Sequence, residues 1–234
     1  MLFVLVTWVW SGTLKDNFDD DNADEWRLFK GNTGRGLLDE TAQWTVKNGE
    51  LVATSKDICT WASIFGIGNR KWKKYDFECR FKIVKSTVGV CGWVPLVGFG
   101  VHFDDTKFIN GLDLIILTRG GNTWNLHDCE RFLNGNLDNP GRVGNVTIKE
   151  GEWYTAEIIF DDGFYKMSID NQLLCNIPAN APDAGAVAFL ARDCEVHFDD
   201  IAITGDGIPD RNLGLFIDPK AKLATTWAKI KQEK

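Results

Sequence analysis

The chain has 234 residues and a formal net charge of -7. That balance argues against nucleic acid, which selects a basic surface, and is neutral toward uncharged sugars. Its length suits one domain with a sizeable core, and its 10 Trp and 23 Gly point to strands joined by tight turns, with most of the tryptophans packed inside.

The chain opens on MLFVLVTWVWSG, about ten apolar residues followed by small ones. The run is too short to span a bilayer. It has the look of an export leader, with cleavage expected after Ser11, and residues 1–13 are assigned to it. The basic residues that usually precede such a run are missing, so a first strand is the alternative. DNFDDDNADEW (16–26) follows, with five Asp within nine residues.

WTVKNGELVA (44–53) reads as a hairpin around Asn48-Gly49, the pair that best accepts positive φ. WASIFGIG (61–68) comes next, then a basic loop, NRKWKK. YDFECRFKIV (75–84) alternates strictly, with Tyr75, Phe77, Cys79, Phe81 and Ile83 on one face and charges on the other. VGVCGWVPLVGFGVHFD (88–104) is long and broken by Pro95. LDLIILT (112–118) is nearly all apolar, as in a strand covered on both faces. EWYTAEIIF and FYKMSID flank Asp161-Asp162-Gly163, a second hairpin turn, and NQLLCNI, GAVAFLA and EVHFDDIAIT complete the set. Turn signals every eight to twelve residues predict two antiparallel sheets packed face to face. GDGIPDRN (205–212) reads as a linker. Beyond it Leu223, Trp227 and Ile230 share one helical face, so residues 206–234 are expected to be a linker and a short helical tail.

Six cysteines, none at CxxC spacing, exclude a zinc ribbon and allow up to three disulfides. The pairing is open, and Cys79 on a core face also suits a buried free thiol.

Taken in order, DNFDDDNADEW, WTVKNGELVA, YDFECRF, GEWYTAEIIFDDGFYKMSIDNQLL (151–174) and GAVAFLARDCEVHFDDIAI (185–203) resemble the concanavalin A-like lectin/glucanase superfamily. Within it they are similar to laminin G-like domains and to the bacterial 3-keto-disaccharide hydrolase-type domain. The resemblance covers about residues 14–205 and implies an all-β jelly roll whose concave sheet carries a saccharide. It also implies that Trp44 and Trp153 are core residues. Glucanases of the superfamily use an ExDxxE strand motif; GLDLIIL has one carboxylate where that pattern needs three, so ordinary retaining glucanase chemistry is not expected.

The midsection gathers the remaining polar and aromatic candidates. His102 and Asp104 alternate with Val101 and Phe103 and so are expected on one face. LDLIILTRGGNTWNLHDCERF adds Asp113, Arg119, Trp124, His127, Glu130 and Arg131. For a binding site, Trp124 is the expected stacking platform and Arg119, His102 and Glu130 the hydroxyl partners, with Trp93, Trp61 and Trp72 as further platforms. For an enzyme, Glu130 or His127 would take a proton and Arg119 would stabilise negative charge. Asp19, Asp21 and Asp200 are candidates for a structural Ca2+, because the first and last strands lie side by side in such sandwiches and a bulge at Asp199-Asp200 would free carbonyls. Asn145-Val146-Thr147 has the glycosylation pattern.

Three functions follow as expectations. One is an exported saccharide-binding domain, secreted or periplasmic. The second is a glycoside hydrolase or lyase acting on disaccharides or their 3-keto forms. The third is a calcium-dependent protein-interaction domain of laminin G type.

Overall fold

A computed structural model describes residues 11–29, 42–56, 62–87, 91–103, 112–133, 136–138, 141–179 and 184–214. In chain order the strands begin with β1 (Ser11–Asp16), β2 (Arg27–Phe29), β3 (Gln43–Lys47), β4 (Glu50–Thr54), β5 (Ser63–Ile67) and β6 (Lys73–Ser86). Then come β7 (Leu96–Phe103), β8 (Leu112–Gly120), β9 (Thr123–Leu133), β10 (Asn136–Asp138), β11 (Thr147–Ile148) and β12 (Trp153–Asp161). The last are β13 (Phe164–Ile169), β14 (Gln172–Pro178), β15 (Ala186–Arg192), β16 (Cys194–Asp206) and β17 (Arg211–Asn212).

They form two sheets. One runs β14-β13-β12-β6-β16-β1-β17, with β4 also on β16 and β3 on β4; the other runs β10-β9-β8-β7-β15-β5-β2, with β11 on β9. All the pairings are antiparallel except β1 with β17. This is the two-sheet sandwich that the turn spacing predicts.

The turns follow local chemistry. Asn48 and Gly49 take φ of 55° and 73°, and Asp162 and Gly163 take 47° and 78°, as tight hairpins require. The alternation of β6 holds along its length, with Tyr75, Phe77, Cys79, Phe81 and Ile83 buried. Its charged face is the outer surface of the first sheet. There Arg80 pairs with Asp200 and Lys82 with Glu50. Trp153 lies on that outer face too, with Arg80 at 4.7 Å and Lys82 at 4.3 Å from its ring. The core role expected of Trp153 is therefore corrected: in β12 the inward positions are Ala156 and Ile158, of the opposite parity.

Between the sheets, Trp26 stacks on Phe189 at 5.3 Å and Phe189 on Phe198 at 4.2 Å. Trp44 joins them by stacking on Phe65. The second sheet is buried on both faces: every residue of β5, β7 and β15 is buried. Its outward side chains, among them Ile64, Leu96, Leu114, Ile116 and Leu190, make a second apolar cluster. The apolar run of β8 from Leu114 to Leu117 has this cause.

Cys129 of β9 is bonded to Cys175 of β14, so a disulfide ties one sheet to the other. Cys91 is also disulfide-bonded, while Cys79 and Cys194 are buried free thiols.

Two boundaries differ from expectation. Ser11 already pairs with Asp206, so residues 11–13 belong to the first sheet. GDGIPDRN is no free linker, because Ile208 is buried and β17 adds to the edge of β1. Residues 1–10 and the expected C-terminal helix lie outside the described residues. No described helix is long and apolar enough to cross a membrane.

Candidate functional site

The outward face of the second sheet carries a cavity of about 230 Å³ lined by Trp93, Val94, Leu96, Ile116, Thr118, His127, Glu130 and Arg192. Strand register explains how these residues meet. Arg192, the last residue of β15, pairs with Leu96, the first of β7, and Leu96 pairs with Thr118 of β8. One strand further, β9 shifts register opposite Ile116 and Leu117. That shift leaves His127 without a direct partner in the ladder, and its side chain is exposed. Glu130 returns to register opposite Leu114 and is 6% exposed.

Trp93 sits in the turn just before β7 and is 46% exposed, among the most exposed large apolar side chains. The Arg192 guanidinium lies 5.0 Å from its ring centroid. Nε and Nη2 of Arg192 both donate to the Val94 carbonyl, at 3.1 and 2.8 Å. The cation is thereby tied to the turn that carries the tryptophan. Burial pulls the Arg192 pKa down, and the charges of Asp193, Cys194 and Glu130 oppose that shift. A flat ring with one face backed by a rigid cation, next to a buried carboxylate and an exposed imidazole, suits a sugar ring and its hydroxyls.

Of the residues expected to form a site, Trp93, His127 and Glu130 meet here. The others do not. His102 adopts φ of 65° at a bulge opposite Ala186 and Ala188. The bulge breaks the strand's alternation and turns the imidazole into the space between the sheets. There Nδ1 lies 3.3 Å from Asp113 Oδ2, the ring lies 4.3 Å from that of Tyr165, and Nε2 has no hydrogen-bond partner among the described residues. Arg131 closes the same buried cluster through bonds to both Asp113 oxygens and to the Pro178 carbonyl. The Tyr75 hydroxyl accepts from the His102 N–H and donates to the Gly185 carbonyl; burial raises its pKa. His102, Asp113 and Arg131 thus form an internal polar network and are not open to a ligand.

Trp124 is fully buried and cannot be a platform. Its Nε1 donates to Glu150 Oε1 at 3.1 Å, and Arg119 lies 3.8 Å from the same oxygen. Arg119 therefore belongs to a packing hub around Glu150, not to the cavity. Trp72 is buried as well. Asp104 and Trp61 lie outside the described residues.

The acidic run at 16–24 is folded onto itself. Asp16 accepts from Trp26 Nε1 at 2.7 Å and from the Phe18 N–H at 3.0 Å. Burial pushes its pKa up to about 6, against those hydrogen bonds. Asn17 donates to Asp19. The first and last long strands do lie side by side, and β16 is bulged between Asp199 and Ala202. Asp200 is ion-paired with Arg80, and among the described residues no three His, Cys, Asp or Glu side chains come together to hold a metal.

Arg192 is the residue that sequence reasoning missed. It follows an apolar strand, where it reads as the first residue of a turn, and only the pairing of β15 with β7 puts it beside Trp93.

Residues 13–204 match the family model described as the 3-keto-alpha-glucoside-1,2-lyase-like domain. Among solved structures the chain is similar to the carbohydrate-binding module CBM66 from Bacillus subtilis, at 10% identity and TM-score 0.53, over 77% of this chain and 96% of that one. It is also similar to a Bacillus licheniformis beta-glucanase, at 12% identity and TM-score 0.54, over 83% and 98% of the two chains. A structure titled as a native glycosidic hydrolase aligns at 12% identity and TM-score 0.54, over 87% and 100%. At such identities the likeness is one of fold. No curated protein matches the chain.

Proposed function

The chain belongs to the 3-keto-alpha-glucoside-1,2-lyase-like domain family, and on that premise we propose that it is an exported saccharide-binding domain whose ligand stacks on Trp93. The observation that carries this reading is the exposed Trp93 ring, backed on one side by Arg192 and bordered by Glu130 and His127. The open ring face takes the C–H surface of a sugar. Glu130 accepts hydrogen bonds from hydroxyls, and His127 at the rim donates or accepts. CBM66, a carbohydrate-binding module, has a similar fold. Export is supported by the disulfide between Cys129 and Cys175 and the bonded Cys91, which suit an oxidising compartment.

A second reading is favoured by the pairing of a buried carboxylate and an imidazole in one cavity. A 1,2-lyase acting on a 3-keto glucoside must remove the C2 proton, made acidic by the neighbouring ketone, and expel the substituent at C1. Glu130 or His127 would accept that proton, and the other would protonate the leaving oxygen.

Titration of a panel of neutral oligosaccharides and their 3-keto derivatives against the chain, read by tryptophan fluorescence and followed by product analysis, separates the two. Binding without turnover that is lost in Trp93→Ala supports the binding domain. Turnover lost in Glu130→Gln supports the lyase. No binding and no turnover with any member of the panel would sink both.

A further inference from the structure

The outer face of the first sheet, on the far side of the sandwich from Trp93, carries a shallow trough. It joins two depressions of about 260 and 270 Å³ that meet at Glu78 and Ala202. The trough crosses β17, β1, β16, β6 and β12 in their order in the sheet, which at the usual strand spacing is roughly 19 Å. Ala202, opposite Glu78 in the ladder, keeps its middle low. Ile159, 40% exposed, gives its β12 end an apolar surface.

The charge of this trough is unbalanced. Glu78 stands directly opposite Glu157 across the β6–β12 ladder, and like charges so placed destabilise a sheet. Asp76 adds a third carboxylate two residues along the same face of β6. Glu157 accepts from Ser168 Oγ and Asp76 from the Phe160 N–H, but among the described residues none of the three is paired with a cation. Arg80 is taken by Asp200, and Lys15 lies toward the β17 end. Further along the same outer face Glu50 and Glu195 do have lysine partners, Lys82 and Lys85.

The described chain leaves the sheet beside this trough. The Leu213 N–H donates to the Lys15 carbonyl. Gly214 then sits so close to Asn17, a lining residue, that any side chain there would collide with it. Residues 215–234 follow, with five lysines against Asp218 and Glu233. Pro219 suits the first position of a helix. In a helix from there, Leu223, Trp227 and Ile230 form one stripe, with Lys220 and Lys231 along one side and Lys222 and Lys229 along the other. Residues 219–234 would then measure about 24 Å, close to the span of the trough.

We infer that the trough is the docking site of this chain's own C-terminal segment, residues 219–234. Its lysines meet Asp76, Glu78 and Glu157, and its apolar stripe covers Ala202 and Ile159. The segment thereby supplies the cations that the Glu78–Glu157 pair lacks. The inference does not depend on the Trp93 reading, which concerns the other sheet.

Zero-length carbodiimide cross-linking of the full chain, with the joined peptides identified by mass spectrometry, tests it. Links are expected from lysines of the segment to Asp76, Glu78 or Glu157. In a mixture of 14N and 15N chains they should join peptides of one isotope; mixed links would give the trough to a second copy and overturn the intramolecular assignment. Hydrogen exchange supplies the second readout. Amides of 219–234 should exchange about tenfold or more slowly in the full chain than in the free peptide, since an isolated helix of this length is marginal. Glu78→Lys/Glu157→Lys should remove that protection, and so should Trp227→Asp, which leaves the sandwich untouched. Salt should weaken it. The inference is overturned by the absence of links to the three carboxylates or by protection unchanged in both variants. Protection that arises only on adding phosphatidylserine/phosphatidylcholine vesicles would overturn it in favour of a membrane surface.

Discussion

Arg192 holds Trp93 from behind: its guanidinium lies 5.0 Å from the ring centroid while two of its nitrogens donate to the neighbouring Val94 carbonyl. The ring can therefore meet a ligand without first losing its own freedom, which is how a preordered platform gains affinity. Replacing Trp93 by Ala should cost about 2 kcal/mol of saccharide affinity, roughly thirtyfold. Arg192→Lys keeps the charge but loses the planar face and the two-pronged grip, so it should weaken binding nearly as Arg192→Ala does. Calorimetric titration of the three variants checks both statements; full affinity in Arg192→Lys would mean that charge, not planarity, matters.

Asp113 stands between His102 and Arg131 inside the sandwich. Asp113→Ala leaves the Arg131 cation buried without its partner and should destabilise the fold by about 3–5 kcal/mol. Asp113→Leu combined with Arg131→Met removes both charges and should recover most of that loss. Urea unfolding measures both, and saccharide affinity of the double variant should match that of the parent, since the network lies apart from Trp93.

How much of this was legible beforehand follows from where the backbone stays regular. The alternation of β6 and the Asn48-Gly49 and Asp162-Gly163 turns are local, so their residues announce them. Trp153 was legible too, since Thr155 and Glu157 share its parity and Ala156 and Ile158 the other. The midsection failed at its bulges. One bulge at His102 inverts the alternation that would have set this residue beside Asp104, and one register shift in β9 puts His127 and Glu130 in the cavity while Trp124 stays inside. Bulges are placed by the partner strand, which a single strand's residues do not name. Arg192 and Trp93 are nearly a hundred positions apart, so no local pattern joins them.

The bond between Cys129 and Cys175 closes a loop with a sequence separation of 46 residues. On the chain-entropy account such a closure contributes about 4 kcal/mol. Cys129→Ala/Cys175→Ala should lower stability by an amount of that order, seen as a lower midpoint in guanidinium unfolding. An unchanged midpoint would mean that packing alone holds β9 against β14.

Asp16 has its folded pKa raised by burial to about 6, from an ordinary value of 3.8. The folded chain therefore holds a proton there that the unfolded chain releases between those values. The associated stability is full below about pH 4 and is lost as pH rises through 6, by about 2–3 kcal/mol. Unfolding free energies of the parent and of Asp16→Asn at pH 4 and pH 7 isolate this contribution: the parent should lose more than the variant over that interval. Equal losses would refute the assignment.

Ser11 faces Asp206 across the β1–β16 ladder. With β17 running on past it to lie beside Lys15 on the same strand, the described polypeptide enters the sandwich at Ser11 and leaves it at Asn212, on or beside β1 at both ends, like a loop of thread tied off at its own start. A short peptide could join those two points, and new ends could be opened elsewhere, for instance at the Asp162-Gly163 hairpin, giving a circular permutant with the same sheets. By the same geometry the whole unit could be spliced as a cassette into a surface turn of a larger protein without stretching either one.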